Sequence, residues 1–190
     1  MGRIVVSQFI TIDGVFEDPG GSEGHERGGW AFEFERGPEG DKFKLDEVMA
    51  SEALLLGRVT YEGFAAAWPD REGEFADKFN GMAKYVASST LETPGWNNTT
   101  VIRGDLAAEV SKLRAAEGGD VLVNGSAQLV GTLLESDLVD EVRLMVFPVV
   151  LGKGKRLFGD GVRRPMRLVE SRPAGEVLIT RYERAAEPAG

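Results

Sequence analysis

The stretch Asp120–Leu134, DVLVNGSAQLVGTLL, decides the fold. A buried-type strand runs through Asn124, Gly125 and Ser126 straight into an amphipathic helix. A helix start exposes unpaired backbone N–H groups and a partial positive charge, and Gly125 removes the side chain that would keep an anion away. The junction is suited to a phosphate. It is equally suited to plain turn-and-cap chemistry, because Asn and Gly tolerate positive φ and Ser caps helices.

A matching junction lies upstream in Leu54–Phe64, LLLGRVTYEGF. An apolar strand ends in Gly57, and Arg58 and Thr60 open an expected helix that brings its own cation. Arg58 can form charge-assisted bonds to a phosphate or a surface ion pair, and Thr60 can bind the same anion or cap the helix. A third segment, KYVASSTLETPGWNNTTVIR from Lys84 to Arg103, ends two short strands in polar groups: Ser88 and Ser89 after the first, Arg103 after the second. An α/β sheet delivers these to one carboxyl edge, where ligands bind. A hydroxyl-rich turn at Ser88, Ser89 and Thr90 is the alternative.

Strand and helix patterns alternate: strand Arg3–Thr11, helix Asp41–Ser51, strand Ala53–Leu56, helix Thr60–Ala67, strands Tyr85–Ala87 and Thr100–Arg103. Helix Leu106–Ala116, capped by Asp105 and stopped by Gly118 and Gly119, strand Val121–Val123 and helix Ala127–Leu134 follow. The last third is a β-rich run, Val139–Val150, and a hairpin, Arg167–Glu183, split at Ala174 and Gly175. Val142, Leu144, Val146 and Val149 are candidates for an interface-facing strand surface. The pattern predicts an α/β fold with a mixed central sheet flanked by helices and closed by an antiparallel hairpin.

In order along the chain, SQFITIDGVFEDP, LLLGRVTYEGFAAAWP, KYVASSTL, VLVNGSAQLVGTLLESDLVDEVRL and FPVVLGKGKRLF resemble the dihydrofolate reductase-like superfamily, most closely the branch related to the carboxy-terminal reductase domain of RibD. The resemblance implies a three-layer fold over residues 1–184 as one domain, with 185–190 as a flexible tail. It implies NADPH as cofactor, its pyrophosphate region held by Gly57, Arg58, Thr60, Asn124, Gly125, Ser126, Ala127 and Gln128. Ser88, Ser89 and Arg103 are implied near the adenosine 2′-phosphate, and Phe9 and Phe16, flanking the Asp13–Gly14 turn, along the cofactor. The implied reaction is hydride transfer to C=N or C=O of a pyrimidine- or pteridine-like heterocycle, with the riboflavin-pathway aminouracil as the most specific substrate. A homodimer is also implied.

Such a reaction needs a proton source. By the resemblance Asp41 falls at the acid's place, and Asp46 or Glu47 lies one or two turns on. Asp13 matches the Asp-Gly of the riboflavin reductases, and either orients a ligand or forms an Asx turn. The loop Glu17–Gly40 holds seven glycines between Gly20 and Gly40. Its Trp30, Phe32 and Phe34 either stack on a substrate or dock the loop on the core. His25, the one histidine, is expected to be solvated. Lys153, in the loop GKGKRLFG, and Lys155, Arg156, Arg163 and Arg164 are candidates for a substrate phosphate.

Composition narrows the classes. The chain has 190 residues, 42% hydrophobic, enough for a substantial core. Without cysteine there is neither disulfide nor Cys-type zinc site, and no metal is expected. Thirty-one acidic against 22 basic residues, a net charge of −9, oppose nucleic-acid binding. No apolar run has spanning length, and no leader precedes the first strand, so a cytoplasmic protein is expected. A non-catalytic nucleotide- or flavin-binding homodimer and a dihydrofolate reductase are the alternative functions. The first would bind NADPH without oxidising it; the second needs an arginine for the glutamate carboxylate, and none is identifiable.

Overall fold

The computed structural model describes residues 2–116, 118–159 and 163–185. The tail expected to fray lies, beyond residue 185, outside them. Among the described residues, eight strands form one sheet: β1 (Ile4–Thr11), β2 (Ser51–Gly57), β3 (Ala83–Ala87), β4 (Thr99–Ile102), β5 (Asp120–Val123), β6 (Glu141–Phe147), β7 (Met166–Ala174) and β8 (Val177–Arg184). Their spatial order is β4-β3-β2-β5-β1-β6-β8-β7. The first six in that order pair parallel, while β8 pairs antiparallel with β6 and β7. The expected mixed sheet with a terminal hairpin is therefore present.

The central strands are apolar on both faces because helices cover both. Leu54, Leu55 and Leu56 are fully buried, each worth about 1.5–3 kcal/mol against exposure. On one face Val5, Leu54, Leu56 and Leu122 pack against α1 (Gly37–Ala50), α2 (Arg58–Ala67) and α3 (Glu74–Gly81). On the other, Ile4, Val6, Leu55 and Val123 pack against α4 (Leu106–Ala115) and α5 (Ala127–Glu135). Asp105 caps α4 by accepting from the Ala108 N–H at 3.0 Å, as its position predicts.

Three departures have local causes. Helix α1 starts four residues before Asp41, because Pro38 suits a first helical turn although Gly37, Pro38 and Gly40 read as loop. Helix α3, absent from the sequence reading, spans 8 residues between Gly73 and Gly81, too short for periodicity to resolve; Ala76 and Phe79 bury its inner side. Val142 and Leu144 are not an outer surface: they are 3% and 8% exposed beneath α5. The exposed apolar residues of the hairpin are Leu168, Val169 and Leu178.

Candidate functional site

Strands β2 and β5 are neighbours, paired through Leu55 and Val123, so the helices that follow them start side by side at the carboxyl edge. The Gly57 N–H donates to the Gly125 carbonyl at 3.4 Å. A Cβ on Gly57 would lie 2.7 Å from Ser126 Oγ, and one on Gly125, whose φ is +70°, would lie 2.8 Å from Thr60 Oγ1. The two junctions read separately in the sequence are one cradle, and only hydrogen atoms fit where the turns touch. Helices α2 and α5 both direct N-terminal N–H groups to it, Ala127 and Gln128 being the first residues of α5. Ser126 Oγ accepts from the Leu129 N–H at 3.4 Å, so its oxygen caps the helix while its proton remains available.

Arg58 is the first residue of α2, and its Nη1 lies 3.0 Å from both carboxylate oxygens of Glu62. Both side chains are nearly half exposed, so the pair is worth at most about 1 kcal/mol and yields readily to a phosphate. Asn124 donates from Nδ2 to the Ser7 carbonyl at 3.0 Å, while its Oδ1 is buried without a partner. An unpaired buried acceptor costs about 1–3 kcal/mol, which a ligand donor would recover. Gln8 Nε2, 3.6 Å from where a Gly125 Cβ would stand, is likewise unpartnered. The cradle thus fits a phosphate through backbone room, paired helix starts, a displaceable cation and the unpartnered Gln8 amide N–H, while the Asn124 oxygen suits a ligand donor instead.

Ser88 Oγ accepts from the N–H groups of Thr90 and Leu91 at 3.2 and 3.0 Å, holding the turn after β3. Ser89 beside it is exposed. The Arg103 guanidinium donates to the Leu91 carbonyl, which draws the ends of β3 and β4 together at the same sheet edge.

Along β1, the Phe9 ring meets Phe147 at 5.2 Å, with the Arg36 guanidinium 5.6 Å and the Lys44 ammonium 5.3 Å from its centroid. Phe16 is half-buried against the α4/α5-side core. Asp13 accepts from Thr11 Oγ1 at 2.6 Å and from the N–H groups of Leu151 and Gly152 at 3.2 and 2.8 Å, and these bonds hold its carboxyl below the usual range. It fastens the β1 turn to the loop after β6 in place of an Asx turn, because the Val15 N–H donates to Thr11 Oγ1 at 3.0 Å. Asp41 is 63% exposed and paired with Arg36 at 2.5 Å, and Asp46 is exposed beside Lys42. Of the acids considered on α1, Glu47 is the buried one. Its Oε1 accepts from Ser7 Oγ at 2.8 Å and from Lys44 Nζ at 2.5 Å, and its Oε2 lies 3.6 Å from Arg143 Nη1.

Trp30 is 1% exposed, edge-on to Phe147, its indole N–H donating to the Glu17 carbonyl at 3.0 Å. It docks the glycine-rich loop and offers no face to a substrate. Phe34 packs nearby, while Phe32 is 81% exposed. The loop is tied down further by Asp18, whose carboxylate accepts from the N–H groups of Glu23 and His25 at 2.9 and 3.0 Å. His25 is not solvated as expected: 13% of its side chain is exposed, and Nε2 lies 3.7 Å from Glu17 Oε2. Lys153 is 69% exposed and pairs with Glu26 at 3.0 Å, and Lys155 pairs with Glu17. Arg156 donates to the Asp13 carbonyl, and Arg164 to those of Leu134 and Glu135, so neither guanidinium is idle.

Sequence reasoning missed Ser7 and Lys44. A serine amid the apolar SQFIT strand and a lysine three residues before an inward glutamate were the available signals.

Residues 3–180 match the RibD C-terminal domain family. The uncharacterized protein YyaP of Bacillus subtilis (strain 168) is 30% identical over 176 residues, 90% of this chain and 88% of that protein. The crystal structure of a putative riboflavin biosynthesis protein from Shewanella sp. PV-4 superposes with a TM-score of 0.78 at 21% identity, covering 97% of this chain and 99% of that one. A diaminohydroxyphosphoribosylaminopyrimidine deaminase/5-amino-6-(5-phosphoribosylamino)uracil reductase from Thermotoga maritima superposes with a TM-score of 0.63 at 17% identity. This match covers 97% of this chain but 57% of that longer one.

Proposed function

This chain belongs to the RibD C-terminal domain family, and on that premise we propose that it is an NADPH-dependent reductase of a pyrimidine- or pteridine-like heterocycle. The observation that carries the reading is the cradle at Gly57 and Gly125, where two helix starts and Arg58 converge. The helix starts and Arg58 would hold the pyrophosphate there, Arg58 exchanging Glu62 for a phosphate oxygen. The cofactor, when bound, supplies the hydride. The substrate is proposed to lie in a crevice where α1 meets β1, beside Phe9, Ser7 and Asn124. The aminouracil reduced by the Thermotoga protein is the most specific substrate to propose. The cofactor's preference for NADPH over NADH rests on Ser88, Ser89 and Arg103.

The test is oxidation of NADPH, followed optically, with the aminouracil phosphoribosyl compound, pterins, dihydrofolate and flavins as acceptors. Turnover with the aminouracil and not with dihydrofolate is expected. NADPH binding without turnover of any acceptor would reduce the reading to a nucleotide-binding protein.

A further inference from the structure

We propose that Lys44 is the proton donor of the reaction and that Glu47 and Ser7 are the positioning residues that aim it into the crevice; this rests on the reductase reading above. Lys44 Nζ lies 2.9 Å from Ser7 Oγ and 2.5 Å from Glu47 Oε1, and it stands over the Phe9 ring at 5.3 Å. An ammonium has three N–H groups. Ser7 and Glu47 take two, which leaves one for a ligand. Ser7 ties this group to the cofactor cradle, because its carbonyl accepts from Asn124, the residue before Gly125. Lys44 is nearly enclosed, with 14% of its side chain exposed, whereas lysines 42 and 153 on the surface are 71% and 69% exposed.

Among the described residues, the other acids weighed for this role are committed. Asp41 and Asp46 are exposed in ion pairs with Arg36 and Lys42, and Asp13 is locked as an acceptor of three hydrogen bonds. Glu47 lies deep, its charge shared between Lys44 of its own helix and Arg143 of β6, which also meets Glu141 and Asp120. Such a carboxylate holds a cation in place. In the proposed step the carbon of a C=O or C=N bond accepts a hydride from the dihydronicotinamide. The π pair moves onto the heteroatom, and one N–H bond of Lys44 breaks to give that atom its proton. The nicotinamide is oxidised, the substrate is reduced, and Lys44, left as an amine, regains a proton from water.

The probe is 6-formylpterin, a pteridine carrying an aldehyde. NADPH affinity, NADPH oxidation by the probe across pH, and borohydride trapping of the probe are measured on wild type, Lys44→Arg, Lys44→Met with Glu47→Gln, and Asp41→Asn. The double variant avoids leaving a buried unpaired carboxylate. Expected are NADPH affinities within about twofold of one another, a kcat about 100-fold lower in the double variant with KM little changed, partial recovery in Lys44→Arg, and no change in Asp41→Asn. Borohydride reduces the imine that the Lys44 amine forms with the aldehyde on loss of water, so label is expected on the Lys44 peptide and absent from the double variant. Full activity in the double variant overturns the proposal. If the probe is not turned over, absence of label from Lys44 overturns it, and label there supports the placement. Loss of NADPH binding in wild type would instead strike the reductase reading, and the proposal with it.

Discussion

Lys84 shows how a single residue carries a testable pH dependence. It is fully buried, donating to the carbonyls of Asn80 and Met82 at 2.7 and 2.9 Å and standing 4.3 Å from the Trp96 ring centroid. Carbonyls and a ring replace water without a counter-charge, and burial pushes its pKa from 10.5 down to about 8. Between those values the unfolded chain holds a proton that the folded one has released, so stability rises with pH through the window. The gain is up to about 3 kcal/mol. Urea unfolding from pH 7.5 to 10.5 is expected to show wild type gaining stability relative to Lys84→Met; parallel curves would refute this. At this scale the sequence was a partial guide. Arg58, Thr60, Asn124, Gly125 and Ser126 stand together at the cradle, which the family resemblance implied and the spacing of the two junctions alone did not. Trp30 is buried and Asp41 stands in an exposed ion pair, because side-chain direction on a loop or a helix start depends on packing that spacing does not encode.

Among the elements, two glycines separate conformational from packing effects. Gly131 sits inside α5 with nothing near its Cβ direction, so Gly131→Ala should stabilise by about 0.5–1 kcal/mol by raising helix propensity. Gly175, in the β7–β8 turn, has a φ of +57° and would place a Cβ 2.3 Å from the Glu35 carbonyl oxygen. Gly175→Ala should therefore destabilise by more than about 1 kcal/mol and loosen the segment that leads into α1. Melting temperatures moving in opposite directions are expected; a neutral Gly175→Ala would contradict the close approach. The hairpin turn was legible from Ala174 and Gly175, as were the alternating strands and helices. Helix α3 and the true start of α1 were not, because glycines at 37, 40, 73 and 81 carry a loop signature that tertiary packing overrides.

Over the whole molecule, charge is arranged against its average. A chain of net charge −9 repels NADPH at long range, so binding depends on Arg58, Arg103 and the helix starts, and should weaken little with moderate salt. At the start of β6, Glu141 is fully buried and bonded to Arg143 and Arg181 at 2.8 and 2.7 Å. Burial alone would raise its pKa; the two arginines outweigh it and bring the value from 4.5 to about 2. A depressed carboxylate stabilises the fold fully above its unfolded value and loses that stabilisation as pH falls to 2. Glu141→Gln should be less stable at pH 7, with a shallower acid dependence between pH 4.5 and 2, read from chemical unfolding; an unchanged acid slope would contradict the network's role.

The most direct measurement is a calorimetric titration of the protein with NADPH and with NADH, repeated on Arg58→Ala and Gly125→Ala after their folds are verified by circular dichroism. The account predicts tighter binding of NADPH than of NADH by wild type, about tenfold weaker binding in Arg58→Ala and loss of binding in Gly125→Ala, where a methyl group fills the cradle against Thr60. Absence of NADPH binding to wild type, or undiminished binding to both variants, would contradict it.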